Sequence, residues 1–262
     1  MQAACPRIEV VNIAKSKIGA KQLKQRFKLQ VLKNRRIRKA PREETWLVFQ
    51  GGLNSLSTPH LTNKHVRDIF RRAHKAGIRT VGLTLGPWGD AYRWRAARGL
   101  AAFRRTRLAV DFMMKRLTPA EALGKRALGR VEASWQEGEL PEISVDIYDS
   151  GLRHKDAAPL DSKRLRHRLR YDAGIAPTLR KLQPEEREAA LDQLEKEARA
   201  LSKQFMKPRY RAFDSIHPNL EGHRLIAKEI CSKASPSWGC SCNAIDAMQW
   251  VVKERGLFPR VK

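Results

Sequence analysis

The chain has 262 residues, 42% hydrophobic and 31% charged, and its Lys and Arg outnumber Asp and Glu by 53 to 27, a formal charge of +26. Its apolar residues gather in short runs that can bury a core, which argues against wholesale disorder, and no run of 18 apolar residues is present to make a membrane-spanning helix. The excess charge admits nucleic acid or an anionic surface as a partner, but no serine-arginine, glycine-arginine or zinc-knuckle repeat accompanies it, so it reads as a surface property spread over several helices.

In chain order, Ile8-Glu-Val-Val-Asn-Ile13 reads as a first strand. Residues 20–36 follow as a basic helix, with Leu23, Phe27 and Val31 at helical spacing. Trp46-Leu-Val-Phe49 is a second strand, ending at Gly51-Gly52. A helix over about 62–76 is capped by Gly77 and leads into the strand Ile78 to Leu85. Ile143 to Ile147 is a fourth strand, reached after an Arg-rich helical excursion over 91–135. Residues 160–206 are a second helical insertion, whose main helix opens at Pro184 with Glu185 and Glu186 suited to the helix dipole. A coiled-coil partner surface is an alternative use of that helix.

Strands alternating with helices predict βαβ units, a parallel sheet and a three-layer α/β/α domain over 1–258, with 259–262 a tail. Ligands of such sheets bind beyond the carboxyl ends of the strands. The segments Lys15–Ala20, Gly51–Leu56, Gly86–Asp90 and Asp149–His154 are therefore the places to look.

The cysteines give less. Cys5 is isolated, and Cys240-x-Cys242 with Cys231 lacks the paired spacing of a zinc site, so no metal is expected. One disulfide between Cys231 and either partner, or free thiols, both fit. A zinc site through Cys231, Cys240, Cys242 and His223 is a third reading. Met1-Gln-Ala-Ala-Cys-Pro carries no apolar signal core, and the compartment stays open, as does the oligomeric state.

The most specific stretch is Phe213-Asp-Ser-Ile-His-Pro-Asn-Leu-Glu-Gly-His-Arg-Leu-Ile-Ala. Pro218 biases His217 away from helix, so Asp214 and His217 sit three apart on a loop. An Asp accepting from one imidazole nitrogen fixes the tautomer and leaves the other nitrogen as a general base. A plain N-capping Asp beside a surface His is the alternative for the same spacing.

This block resembles the last conserved block of the SGNH hydrolases, the GDSL-type esterases and lipases. Upstream, Gly52 and Asn54 in Val48-Phe-Gln-Gly-Gly-Leu-Asn54 resemble that family's Gly-x-Asn block. Ala76 through Pro87 resembles the strand and proline loop that follow it. The resemblance covers roughly residues 6–90 and 140–258.

It implies a flavodoxin-like SGNH architecture and hydrolysis of a carboxylic ester through a serine acyl-enzyme, without cofactor. His217 would be the general base and Asp214 its orienting partner. Asn54, with a backbone donor at Gly19, would stabilise the oxyanion, and Gly52 would make the tight turn. The substrate would be a small-molecule or lipid ester.

Three departures follow from the same comparison. The family's second-block glycine falls on Lys17, with Gly19 two residues later, and Asn54 is followed by Ser55 where members commonly carry Asp. The Gly-Asp-Ser block that holds the nucleophile on the first, central strand is not found ahead of Asn12. Ser16 and Ser55 lie near the expected rim without a strand-to-helix elbow, so the nucleophile is unknown. The expectation is an N-terminally truncated SGNH domain, first strand missing, that is inactive as given. A basic protein binding nucleic acid or an anionic surface on a degenerate hydrolase scaffold is the alternative.

Overall fold

The computed structural model describes residues 4–41, 44–89, 96–124, 133–160, 165–172, 175–234 and 236–247. Asp90, parts of both helical insertions and the 259–262 tail lie outside these residues. Three of the β-branched runs pair as expected. β1 (Trp46–Phe49), β2 (Arg79–Leu83) and β3 (Ile143–Val145) form one parallel sheet in that order. Trp46 stands opposite Arg79 and Phe49 opposite Gly82, while Val81 meets Ile143 and Leu83 meets Val145.

Side chains alternate across a strand, and β2 shows what each face buries. Val81 and Leu83 join Val145, Ile147 and the inner side of a late helix through Ala227, Ile230 and Cys231. On the other face Phe49 and Ile78 meet Val66, Ile69, Phe70 and Ala73 of α3 (Pro59–Lys75), together with Phe112 and Met113 of α4 (Ala96–Met113). A Cβ at Gly82 would overlap Met113 and Pro141, so glycine lets α4 press on the sheet. Helices thus cover both faces, the three-layer α/β arrangement that sequence alternation predicts.

Local chemistry sets the ends of α3. Pro59 occupies its first turn. Gly77 takes φ +70, and the Gly77 and Ile78 amides donate to the His74 and Ala73 carbonyls at 2.8 and 2.9 Å, a Schellman closure that feeds directly into β2. The other expected helix, 20–36, is divided into α1 (Ala20–Arg26), a π-helical turn over Phe27–Leu32 and α2 (Arg35–Lys39). Asn34 makes the break by accepting the Arg36 amide at 2.9 Å as the cap of α2.

Ile8–Ile13 is not a strand, contrary to expectation. Ile8 packs on one face's core and Ile13 on the other's, while Val10 and Val11 are 45% and 40% exposed. The segment crosses between the two cores outside the β1–β2–β3 sheet, and β propensity alone does not make a strand.

The helical insertion brings its own core. Leu100 of α4 meets Leu165 and Leu169 of α6 (Leu165–Arg170), and Leu191 and Ala198 of α8 (Pro184–Arg199). Between them lie α5 (Pro119–Leu123) and α7 (Ala176–Leu179). Arg166 ties α6 to Glu188 and Glu195 of α8 at 2.7 and 3.3 Å, and also to Asp192. The apolar positions of α8 are therefore covered within the chain and are not free for a coiled-coil partner.

The cysteines form one bridge that was among those expected, Cys231 with Cys242, and one that the isolation of Cys5 did not indicate. Cys5 joins Cys240 and Cys231 joins Cys242, two disulfides and no free thiol among the described residues. The sulfurs that come together are those of Cys5, Cys231 and Cys240, without His223, which corrects the zinc ligand set. The Cys5–Cys240 bridge spans 235 residues of sequence, and closing so long a loop stabilises the folded state by about 5 kcal/mol on the chain-entropy account. It fastens the N-terminal turn to the α9 (Leu220–Lys233) and α10 (Ala244–Ala247) end of the molecule.

Candidate functional site

Asp214 and His217 lie on a loop that closes on itself before α9. Arg211 pairs with Pro218 in an isolated antiparallel bridge, the Ala212 amide donates to the His217 carbonyl at 2.9 Å, and the Asn219 amide donates to the Tyr210 carbonyl at 2.8 Å. The Asn219 side chain accepts the Gly222 amide at 3.0 Å as the cap of α9 and donates to the Arg209 carbonyl at 2.7 Å. A Cβ at Gly222 would sit 2.7 Å from both Pro218 Cβ and the Tyr210 carbonyl oxygen. Glycine there is what allows the helix to start so close to the loop.

Within this frame Asp214 closes a local turn and holds the imidazole, while the helix cap is Asn219 and not Asp214. Its Oδ1 accepts the Ile216 and His217 amides at 2.9 and 3.0 Å, and its Oδ2 pairs with His217 Nδ1. Partial desolvation would raise the carboxyl's pKa, but the hydrogen bonds from the His217 amide, its imidazole and the Ile216 amide outweigh it and bring the group down to about 2. The imidazole is 70% exposed, and no described hydroxyl or thiol donates to its Nε2. His223, six residues on, is held below the ordinary histidine value, first by partial desolvation and then by the His217 charge.

Gly19 and Asn54 are also brought together. Gly52 has φ +110 and opens the short 3-10 turn Leu53–Ser55, with a Cβ there only 2.9 Å from Thr62. Ser55 Oγ accepts the Ala20 amide at 3.1 Å, and a Cβ on Gly19 would stand 3.2 Å from Ser55 Cβ. Both expected oxyanion donors are engaged, however. The Gly19 amide donates to Gln22 Oε1 at 2.8 Å, and the Asn54 amide reaches the Ile18 carbonyl at 3.4 Å. Ser55 Oγ in turn donates to the Gly52 carbonyl at 3.1 Å, so it braces the turn.

The two halves meet through the loop after β2. Leu53 and Trp88 pack on the same core of Leu56, Leu85, Val110 and Tyr148, and the Gly89 amide donates to the Ser215 carbonyl at 2.7 Å. The loop after β3 serves differently from expectation. Asp149 pairs with Arg107 at 3.2 Å and with Arg153, Asp146 pairs with Arg116 at 3.1 Å, and Ser150 Oγ donates to the Ile147 carbonyl. This ion-pair cluster, over the buried ring of Tyr148, clamps the strand end.

A cleft of about 260 Å3 adjoins the dyad loop, lined by His154, Leu160, Phe205, Met206, Pro208 and Arg211 among others. A groove of about 450 Å3 runs along α8 and touches none of the expected site residues.

No family model, curated protein or solved structure matches this chain.

Two features escaped the sequence reading. Phe213, next to Asp214, is 88% exposed. Lys17, on the position that the family resemblance gives to glycine, has φ +61, a left-handed conformation that disfavours any side chain. Its misfit to the Gly pattern was visible in the sequence, whereas its backbone conformation was not.

Proposed function

We propose that this chain carries an SGNH-type ester hydrolase domain, in which His217 is the general base, Asp214 its orienting partner, and Asn54 with the Gly19 amide the oxyanion side. The observation that carries the reading is the pairing of Asp214 Oδ2 with His217 Nδ1, which directs the proton to Nδ1 and leaves Nε2 as the basic atom. A loop held by its own backbone bonds and by Gly222 keeps that orientation without substrate.

Two further observations support it. Gly19 and Asn54 come from turns separated by more than thirty residues, yet Ser55 and Ile18 hold them side by side. Lys17 adopts a glycine-like φ where the family carries glycine.

Oxyanion work requires Gly19 to exchange the Gln22 acceptor and Asn54 the Ile18 acceptor for a substrate oxygen. Both present bonds are solvent-exposed, the first local and the second long at 3.4 Å, so exchange is inexpensive, with each donor typically worth about 10²–10³ in rate.

Among the described residues no serine hydroxyl bonds the His217 ring, and we propose that these 262 residues turn over esters at background rate. Hydrolysis of p-nitrophenyl acetate by the purified chain should be the same within twofold for native protein and His217→Ala. A His217-dependent rate well above background overturns the inactivity. The coding sequence upstream of Met1 tests the family: an in-frame Gly-Asp-Ser after a β-branched run supports it, and its absence counts against it.

A further inference from the structure

We propose that the basic face formed by α1, the π turn and α2 docks this protein on an anionic lipid bilayer, so that the ester substrate is an amphiphile presented at that surface. The docking step stands on its own observations, while the substrate class rests on the hydrolase reading.

Between Lys15 and Lys39 the chain has eleven Lys and Arg and no Asp or Glu. Three of them are turned to other uses: Lys24 pairs with Asp68 at 3.0 Å, Arg26 donates to the Ile13 carbonyl, and Arg36 pairs with Glu9. The others are exposed and without an ion pair among the described residues. Ala20, Phe27 and Val31 are buried on the inner side, which leaves Lys21, Lys28, Leu29 and Lys33 along the outer stripe at helical spacing.

The field at this face is felt by its neighbours. His65 on α3 is held below the ordinary histidine value, first by desolvation and then by Lys24, Lys21 and Lys64, with Asp68 opposing them. Burial is the larger cause, and the lysines add to it through the same positive potential that attracts phosphate groups.

Lipid is favoured over nucleic acid by what accompanies the charge. Leu29 stands 58% exposed among the lysines, and no exposed aromatic lies in 15–39 to stack on a base. A bilayer takes the leucine below its headgroups while lysines stay at the phosphates. The face begins at Gly19, which abuts Ser55, and Phe213 is 88% exposed at the dyad loop. Docking by this face places the Gly19–Asn54 turn pair beside the surface.

The test is co-sedimentation of the full chain with vesicles of phosphatidylcholine alone and with 30% phosphatidylglycerol, in 0.1 and 0.5 M salt. Binding is expected only to the anionic vesicles, weakening with salt. Each lysine near such a surface contributes about fivefold, so the K21E/K28E/K33E variant should lose about 100-fold or more in partition. L29S, which changes no charge, should lose severalfold on vesicles and nothing on single-stranded RNA. Circular dichroism confirms that each variant is folded. Unchanged vesicle binding by the folded triple variant, or an L29S variant that binds vesicles like native protein while RNA binds the native chain more tightly, overturns the proposal. Anionic-vesicle binding as expected, with no in-frame Gly-Asp-Ser block upstream of Met1, would leave docking intact and sink the hydrolase reading alone.

Discussion

The Asp214–His217 loop and the turns carrying Gly19 and Asn54 are held with different degrees of constraint. Residues 209–222 are fixed by a bridge, three backbone bonds, an Asn219 cap and a glycine pressed against Pro218 and Tyr210. Gly19 and Asn54 instead rest on single bonds to Gln22 and Ile18, one of them 3.4 Å long. On the proposed hydrolase reading, the base is set before any substrate arrives, whereas the oxyanion donors must be released. Preorganisation is the main source of electrostatic catalysis, so on that reading the second half, besides the missing nucleophile, is where the site is least ready.

The largest effect should come from breaking the constrained half. In Gly222→Ala the new methyl would lie 2.7 Å from a proline carbon and from a backbone carbonyl, neither of which is the end of a flexible side chain. The loop or the first turn of α9 must shift, at a cost of about 3 kcal/mol. Urea unfolding measures it, and the same experiment on Gly19→Ala should show about 1 kcal/mol or less, because Ser55 Cβ is 3.2 Å away and can give. Equal losses would erase the distinction between the halves.

Asp214→Asn sharpens it next. Asparagine keeps an oxygen for the Ile216 and His217 amides but loses the charge opposite the imidazole. A loss of about 1–2 kcal/mol at pH 7 is expected, as for a charge-assisted bond. The pH dependence carries the sign. The native carboxyl titrates at about 2 against an ordinary value of 3.8, so folding favours the ionised form. Its contribution is complete above about pH 4 and is lost as pH falls towards 2. Thermal melts of both proteins between pH 2 and 6 should therefore converge at the acid end, and a difference that persists at pH 2 would mean that Asp214 acts by packing.

What the sequence made legible follows the same division. β1, β2 and β3 were readable because each is a β-branched run ending at a turn, and α3 because Gly77 closes it. Asp214 and His217 were readable because Pro218 decides the loop within three residues. The failures are non-local. Ile8–Ile13 has strand propensity but no strand beside it, and the pairing of Cys5 with Cys240 depends on where two distant segments meet. Gln22 as the acceptor for Gly19 lies only three residues away and was within reach, since a side-chain acceptor three residues into a helix is the ordinary reciprocal of a cap.

The smallest expected effect tests the open half from the backbone. Lys17 at φ +61 bears a left-handed penalty of about 1–2 kcal/mol that glycine would not, while glycine loses about 0.5–1 kcal/mol in chain entropy on folding. Lys17→Gly should therefore stabilise the protein by about 0.5 kcal/mol, a small rise in unfolding midpoint with an unchanged denaturant slope. It also removes one exposed charge from the basic face, so anionic-vesicle binding should fall by up to about fivefold in the same variant. Stability and surface affinity then move in opposite directions. If Lys17→Gly is neutral or destabilising, the loop is not held in the conformation that gives Gly19 its place beside Asn54, and the likeness of this turn to the family's glycine block would lose its physical basis.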